Sequence, residues 1–248
     1  MPRFFLTLEY DGSDFVGWQR QSNGTSVQGC LEEAAQAITG EAVAVLAAGR
    51  TDAGVHALGQ VAHADLPSRF TTTQLPLALN AHLPPTIRII TARQVPDEAH
   101  ARFSATMRSY RYRILNRRIA PALLRGRVWH LSSPLDDKAM HTAAQHLIGT
   151  HDFTSFRSLA CQAKSPIRTL NKLSVSRQGD EVMVDAEALS FLHNQVRIMV
   201  GSLVLVAQNK WQPEDMARVL AAKDRSKAGA TAPPHGLYFV GVAYPSSI

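Results

Sequence analysis

Apolar and polar positions alternate strictly over residues 3–10, with Phe4, Leu6, Leu8 and Tyr10 on one face and Arg3, Phe5, Thr7 and Glu9 on the other. This is the period of a strand, and the mixed second face predicts that both sides are at least partly covered. Helical spacing takes over at Val27, Leu31, Ala34 and Ile38. Thr25 followed by Gln28 reads as a capping box before this run, and Gly40 as its stop, with Glu32, Glu33 and Gln36 turned outward. Residues 42–46 form a short apolar, strand-like run; a loop bracketed by Gly49 and Gly54 follows, and a second β-compatible run begins at Gln60. A short helix is predicted over 75–83, entered near Thr73 and ended by Pro84-Pro85, with a strand over 86–95.

The second half of the chain continues in the same mixed style. Residues 108–114 alternate, with Tyr110, Tyr112 and Ile114 on one face and Arg111 and Arg113 on the other. Residues 119–129 read as an irregular connector, and 135–148 as a helix with Met140, Ala144 and Leu147 inward. Two antiparallel strands are expected over 168–177 and 181–188, around Gln178-Gly179-Asp180. A long helix is predicted from Phe191 through Ala207, a short one over 213–222, and a last strand reaching Tyr244. Roughly eight to ten strands with five or six helices, many hairpins and no regular β-α-β alternation predict an α+β fold.

At 248 residues, with 45% hydrophobic and 19% charged positions and no low-complexity tract, the composition is that of an ordinary globular chain large enough for one big domain or two small ones. No apolar run approaches the length of a membrane span, and the start enters a strand directly rather than a leader-like segment. Cys30 and Cys161 are far apart and in no CxxC pattern, which argues for a reducing compartment and against a disulfide framework or zinc knuckle. The expected location is the cytoplasm.

The net charge of +6 changes the picture through its placement. Residues 99–135 contain no Asp or Glu, yet hold Arg102, Arg108, Arg111, Arg113, Arg117, Arg118, Arg125 and Arg127. The planar guanidinium suits phosphate oxygens and stacks on bases, and eight of them without a compensating acid point to a nucleic-acid partner. Candidate chemistry lies elsewhere. Between Glu41 and Asp65 the single carboxylate is Asp52, two residues from Arg50 and inside the loop bracketed by glycines. Such a loop presents its acid to something, and a nearby guanidinium would hold that acid ionised.

Gly49-Arg50-Thr51-Asp52-Ala53-Gly54-Val55-His56-Ala57, followed by Gly59-Gln60-Val61, resembles the active-site signature of the tRNA pseudouridine synthase A family. Further segments extend the resemblance over nearly the whole chain: Tyr10-Asp11-Gly12 with Phe15-x-Gly17-Trp18-Gln19, then His100-Ala101-Arg102-Phe103-Ser104-Ala105-Thr106 with Tyr110-x-Tyr112. Residues 151–156 and 228–238 also match. The resemblance implies uridine-to-pseudouridine isomerisation at positions 38, 39 and 40 of the tRNA anticodon stem-loop. It implies Asp52 as the catalytic aspartate, Arg50 as its partner, and Tyr110 lying against the target base. It also implies that Arg197 lies near Asp52; apart from the resemblance, apolar Leu237 is a candidate wall of the pocket, and Arg111 and Arg113 of the acid-free stretch are candidates to bind the substrate. It further implies two similar halves, 1–108 and 109–248 with a boundary somewhere in 104–135, meeting at a cleft that holds the active site, and a homodimer sharing one tRNA. The chain departs from the family pattern at Ala64, where an aromatic is usual, and at Ala99, where Phe is usual; both bear on pocket shape.

Breaking the C1′–N1 bond and remaking it to C5 involves no net redox change, hydrolysis or group transfer, so no cofactor and no metal is expected. The absence of P-loop, GxGxxG, HExxH and CxxC patterns fits this. The base must leave its stack and rotate in a closed pocket. Asp52 would act as nucleophile toward the nucleotide or as base toward the ribose, and the residues do not choose between these. Two other classes are weighed. A nucleic-acid-binding protein without catalysis accounts for the arginines but not for Asp52. A metal-dependent hydrolase using His56, His63 and Asp52 would need ligand spacing that two His seven apart do not provide. His151-Asp152 has no serine or cysteine elbow beside it and is expected in a loop closing over the site.

Overall fold

The computed structural model of the chain describes residues 1–67 and 69–248. The chain is α+β and divides into two compact units. The first comprises Met1–Thr106 with Phe239–Ile248, the second Met107–Tyr238. The last ten residues therefore belong with the first unit, whereas a split into 1–108 and 109–248 assigns them to the second. The final strand finds its edge far back in sequence, something no local pattern encodes.

In the first unit the strand order is β4-β1-β3-β10, for β1 (Arg3–Tyr10), β3 (His56–Asp65), β4 (Ile87–Val95) and β10 (Leu237–Ala243). β1 is central and antiparallel to both β3 and β4. β2 is only Leu46–Ala47, paired with His63 and Ala62. The strand expected over 42–46 is thus mostly irregular, and the Val45 N–H is met by the Glu32 carboxylate rather than by a strand. Both faces of β1 are covered, as its alternation requires: Phe4, Phe5, Leu6 and Leu8 are all buried. Phe5 packs with Ala48, Val61, Val95, Ala99 and Ala101, and Tyr244 tilts against its ring at 4.9 Å.

Helix α1 (Val27–Thr39) ends at Gly40, whose φ of 83° supplies the left-handed cap. Its N-cap is Ser26 rather than Thr25: the Ser26 hydroxyl accepts from the Gly29 N–H at 3.1 Å. Gln28 faces away and joins the Arg20 N–H and Glu32 instead. Helix α2 (Gln74–Asn80) stops three residues short of the expected Leu83, and the Asn80 side chain is occupied by both backbone groups of Ile89.

In the second unit the order is β5-β9-β8-β7, for β5 (Met107–Asn116), β7 (Gly149–Asp152), β8 (Ile167–Gln178) and β9 (Glu181–Ala188). β6 (Trp129–Leu131) lies parallel to β5 at the end of the stretch expected to be a connector. The His151-Asp152 pair is on strand β7, not in a closing loop; Asp152 caps the next turn through Thr154, and burial of Phe153 and Phe156 anchors it. Helix α3 (Asp137–Gln145) starts from Asp136 as N-cap and packs on β8 and on α4 (Gln195–Ala207). α4 is apolar nearly all round and almost wholly buried, which makes it the core of this unit. It begins at Gln195, four residues after the predicted Phe191, because Asn194 takes a left-handed conformation (φ 61°). α5 (Asp215–Ala222) completes the unit.

Candidate active site

The loop carrying Asp52 is tied down at Gly49, Thr51, Asp52 and His56. The Gly49 carbonyl accepts from Gln60 Nε2 at 2.8 Å, and Thr51 Oγ1 lies 2.8 Å from the Tyr10 hydroxyl. The Thr51 carbonyl accepts from the Trp18 N–H, and the Asp52 carbonyl from the Val55 N–H. Gly17 and Asp52 form an isolated antiparallel bridge. Gly17 is required there: its φ is 114°, and a Cβ would sit 2.8 Å from the Thr51 carbonyl oxygen. Gly54 closes the turn with a φ of 75°. The far end is set by His56, which is buried. Its Nδ1 lies 3.0 Å from the Gly12 N–H and 3.1 Å from an Asp11 carboxylate oxygen. The neutral ring accepts from the first, and the protonated ring would donate to the second. Asp52 is half-buried, and its neighbour Arg50 is exposed.

Tyr110, Arg111, Arg113, Arg197 and Leu237 all lie in the second unit. Tyr110, half-buried on β5, meets Phe191 edge-on at 5.2 Å with the rings at 87°. Phe191 is a contact that no periodicity identified, and it gives the Tyr110 ring a fixed pose. Arg197, in the first turn of α4, donates through Nε to the Ala232 carbonyl at 2.8 Å and through Nη1 to Asn194 Oδ1 at 2.9 Å. The Ala232 N–H returns a bond to the Arg197 carbonyl. Tyr112 is buried beside the same segment, its hydroxyl donating to the Pro233 carbonyl at 2.7 Å. Burial pushes its phenol upward, so it is a fixed donor. Leu237, buried, opens β10 directly after that segment.

Arg111 and Arg113 correct the reading of the basic stretch. Arg111 makes two bonds to the Asp185 carboxylate, the nearer at 2.7 Å, and Arg113 makes a similar fork to Glu181. The carboxylates hold both guanidiniums above the ordinary arginine value. Arg108 is buried and donates to the Leu189 carbonyl, and Arg117 lies 3.6 Å from Asp180. The compensating acids come from β9 and the turn before it. Arg111 stands directly opposite Asp185, and Glu181 is two residues along from Met183, the partner of Arg113. An acid-free run in sequence is therefore not acid-free in space.

A family model described as tRNA pseudouridine synthase matches residues 7–104 and 143–245. The chain belongs to the tRNA pseudouridine synthase family. Curated relatives agree over nearly full length. The "tRNA pseudouridine synthase A" of Rhodopseudomonas palustris (strain BisA53) is 57% identical over 245 residues, covering 98% of this chain and 100% of the relative. That of Sinorhizobium fredii (strain NBRC 101917 / NGR234) is 54% identical over 247 residues, and that of Rhizobium meliloti (strain 1021) 53% over 247, with the same coverage. The enzyme is an isomerase, a pseudouridine synthase of the α+β class.

Two histidines in the synthase's signature segments turn out to organise packing. His63 is buried on β3 and accepts from the Ala101 N–H at 3.2 Å, with the His100 ring edge-on at 4.4 Å. Burial first, then His100 and Arg3, drive the His63 imidazole down to about 4. Among the described residues no group of three His, Cys, Asp or Glu could hold a metal ion. The site residues the sequence reading missed are Tyr10, Gln60 and Phe191. For Gln60 a signal existed: an amide at an inward position of a strand otherwise filled with Val61, Ala62 and Ala64.

Proposed function

We propose that the enzyme converts uridine to pseudouridine at positions 38, 39 and 40 of the tRNA anticodon stem-loop, with Asp52 as the carboxylate that acts on a flipped-out nucleotide. The C1′–N1 bond breaks, the detached uracil turns, the C1′–C5 bond forms, and the proton leaves C5 while N1 gains one. The observation that carries this reading is the loop itself. Asp52 is the one acid between Glu41 and Asp65, it is half-buried, and the backbone around it is tied at Gly49, Thr51, Asp52 and His56. A preorganised carboxylate is what either role, nucleophile or ribose base, demands. Arg50, exposed on the same loop two residues before Asp52, carries the guanidinium that fills the space the base vacates in the stack. Tyr110, posed by Phe191, stacks on the uracil and takes the C5 proton at the end. Arg197 and Leu237 line the substrate side of the second unit.

Two further parts of the reading rest on the family. The enzyme acts as a homodimer sharing one tRNA, and it works in the cytoplasm, consistent with two free cysteines and with no described helix long and apolar enough to cross a membrane.

The experiment is Asp52→Asn, which keeps size and shape and removes the charge. Tritium release from tRNA carrying 5-tritiated uridine should fall to background, even at stoichiometric enzyme. Melting temperature and tRNA affinity should hold, or affinity should rise slightly as one negative charge leaves the phosphate-binding surface. A folded variant that binds tRNA and still releases tritium would end the assignment of Asp52.

A further inference from the structure

We infer that Tyr10 and Gln60 are positioning residues: with Thr51 they form a buried polar clamp that fixes the backbone on the N-terminal side of Asp52 and so aims its carboxylate. The inference rests on the reading that Asp52 is the reacting group.

The starting observation is that polar side chains stand where apolar ones would be cheaper. Gln60 is 0% exposed and Tyr10 4%, in a strand pair whose neighbouring inward positions are Leu6, Leu8, Ala62 and Ala64. A buried amide or hydroxyl costs free energy unless every strong donor and acceptor is used. Here they are used on the Asp52 loop. Gln60 Nε2 donates to the Gly49 carbonyl at 2.8 Å and stands 3.5 Å from the Tyr10 hydroxyl, while Gln60 Oε1 accepts from the Val61 N–H. The Tyr10 hydroxyl meets Thr51 Oγ1 at 2.8 Å. The outputs of the clamp fall on residues 49 and 51, the two that flank Arg50 and lead into Asp52.

The strands are shaped for it. Leu8 stands opposite Gln60, but Tyr10 stands opposite Ala57, so two steps along β1 span three along β3. Such a register slip re-aims side chains and is a common device next to active sites. Without outside ties, a loop bounded by Gly49 and Gly54 has access to many backbone conformations. Burial pushes the Tyr10 phenol up to about 12, so it stays protonated and serves as a hydrogen-bonding strut rather than a proton acceptor.

A displacement of the reacting group by about 1 Å can cost on the order of 100-fold in rate. The test is single-turnover pseudouridine formation with saturating enzyme, alongside tRNA affinity and melting temperature. Tyr10→Phe, Thr51→Val and the volume-conserving Gln60→Met should each slow the single-turnover step by roughly 10-fold or more, with tRNA affinity unchanged within about 2-fold. Thr51→Ser restores the hydroxyl and should recover most of the rate. Tyr10→Phe with Thr51→Val should be no slower than the slower single variant, because both remove one contact. Ser202→Ala is the control: Ser202 is buried in the second unit and bonded to the Ile198 carbonyl and the Gly229 N–H. It should lower the melting temperature and leave the single-turnover rate alone. Tyr10→Phe and Thr51→Val that melt lower but react at the wild-type rate would overturn the inference, as would no recovery in Thr51→Ser. Asp52→Asn, measured in parallel, separates the two levels. If it is inactive while the clamp variants keep full rate, only the clamp falls; if it turns over, the reading of Asp52 falls and the clamp with it.

Discussion

His63 makes stability depend on pH in a direction that can be worked out in advance. Its ring is buried beside the turn at 99–104, accepts from the Ala101 N–H, and faces His100 edge-on. The charged and titratable groups that bear on it are His100 and Arg3, which lower its pKa, and Asp65 and a backbone bond at Leu46, which raise it; burial outweighs all of them. The imidazole therefore titrates at about 4 when folded against 6.5 ordinarily. The folded state keeps it neutral while the unfolded chain takes up a proton below 6.5. Stability is thus complete above that pH and is lost as pH falls through the window from 6.5 to about 4. Over the whole window this amounts to roughly 3 kcal/mol, of which about 2 kcal/mol is gone by about pH 5.

The perturbation is His63→Gln, whose amide oxygen can still accept from Ala101 and which does not titrate. Urea unfolding followed by tryptophan fluorescence at several pH values between about 7.5 and 5 gives stability for both proteins. The variant should be less stable at the upper end and should lose about 2 kcal/mol less on acidification than the parent. Carboxylates ordinarily titrate below this range, and parent and variant carry the same ones. His100, also held down mainly by burial, is present in both proteins and acts with the same sign. Parallel stability curves for parent and variant would refute the assignment of a neutral, buried His63.

The paired arginines on β5 should behave as structural residues. Arg111→Met with Arg113→Met should cost about 0.5–1 kcal/mol each, the range for partly exposed bidentate pairs, and leave the slope of log K for tRNA against log salt within about 0.5 of the parent. A slope flattened by about 1–2 would mean that both guanidiniums reach phosphates in spite of Asp185 and Glu181. Tyr110→Phe should keep its edge-on packing with Phe191 and its tRNA affinity while tritium release from 5-tritiated uridine falls; loss of affinity with normal release per bound tRNA would make Tyr110 a binding residue instead.

The chain alone carried much of the fold and the heart of the candidate site. β1 runs over the residues whose alternation announced it, and β9 does too, because period-two burial is written directly into consecutive residues. The Asp52 loop was legible for a similar reason: an isolated acid between glycines is a local feature, and the matching segments around it are contiguous. Even there, details that depend on one hydrogen bond went elsewhere, as when Ser26 rather than Thr25 capped α1. What the residues could not state is which groups meet across strands. Arg111 and Asp185 are 74 residues apart, and their pairing exists only once β5 and β9 adopt their register. Tyr10 and Gln60 are 50 apart and meet through a slip in the β1–β3 ladder that alternation does not predict. Periodicity tells a side chain which face to take. The partner it finds there is set by register and burial, and those are decided only when the sheet has formed.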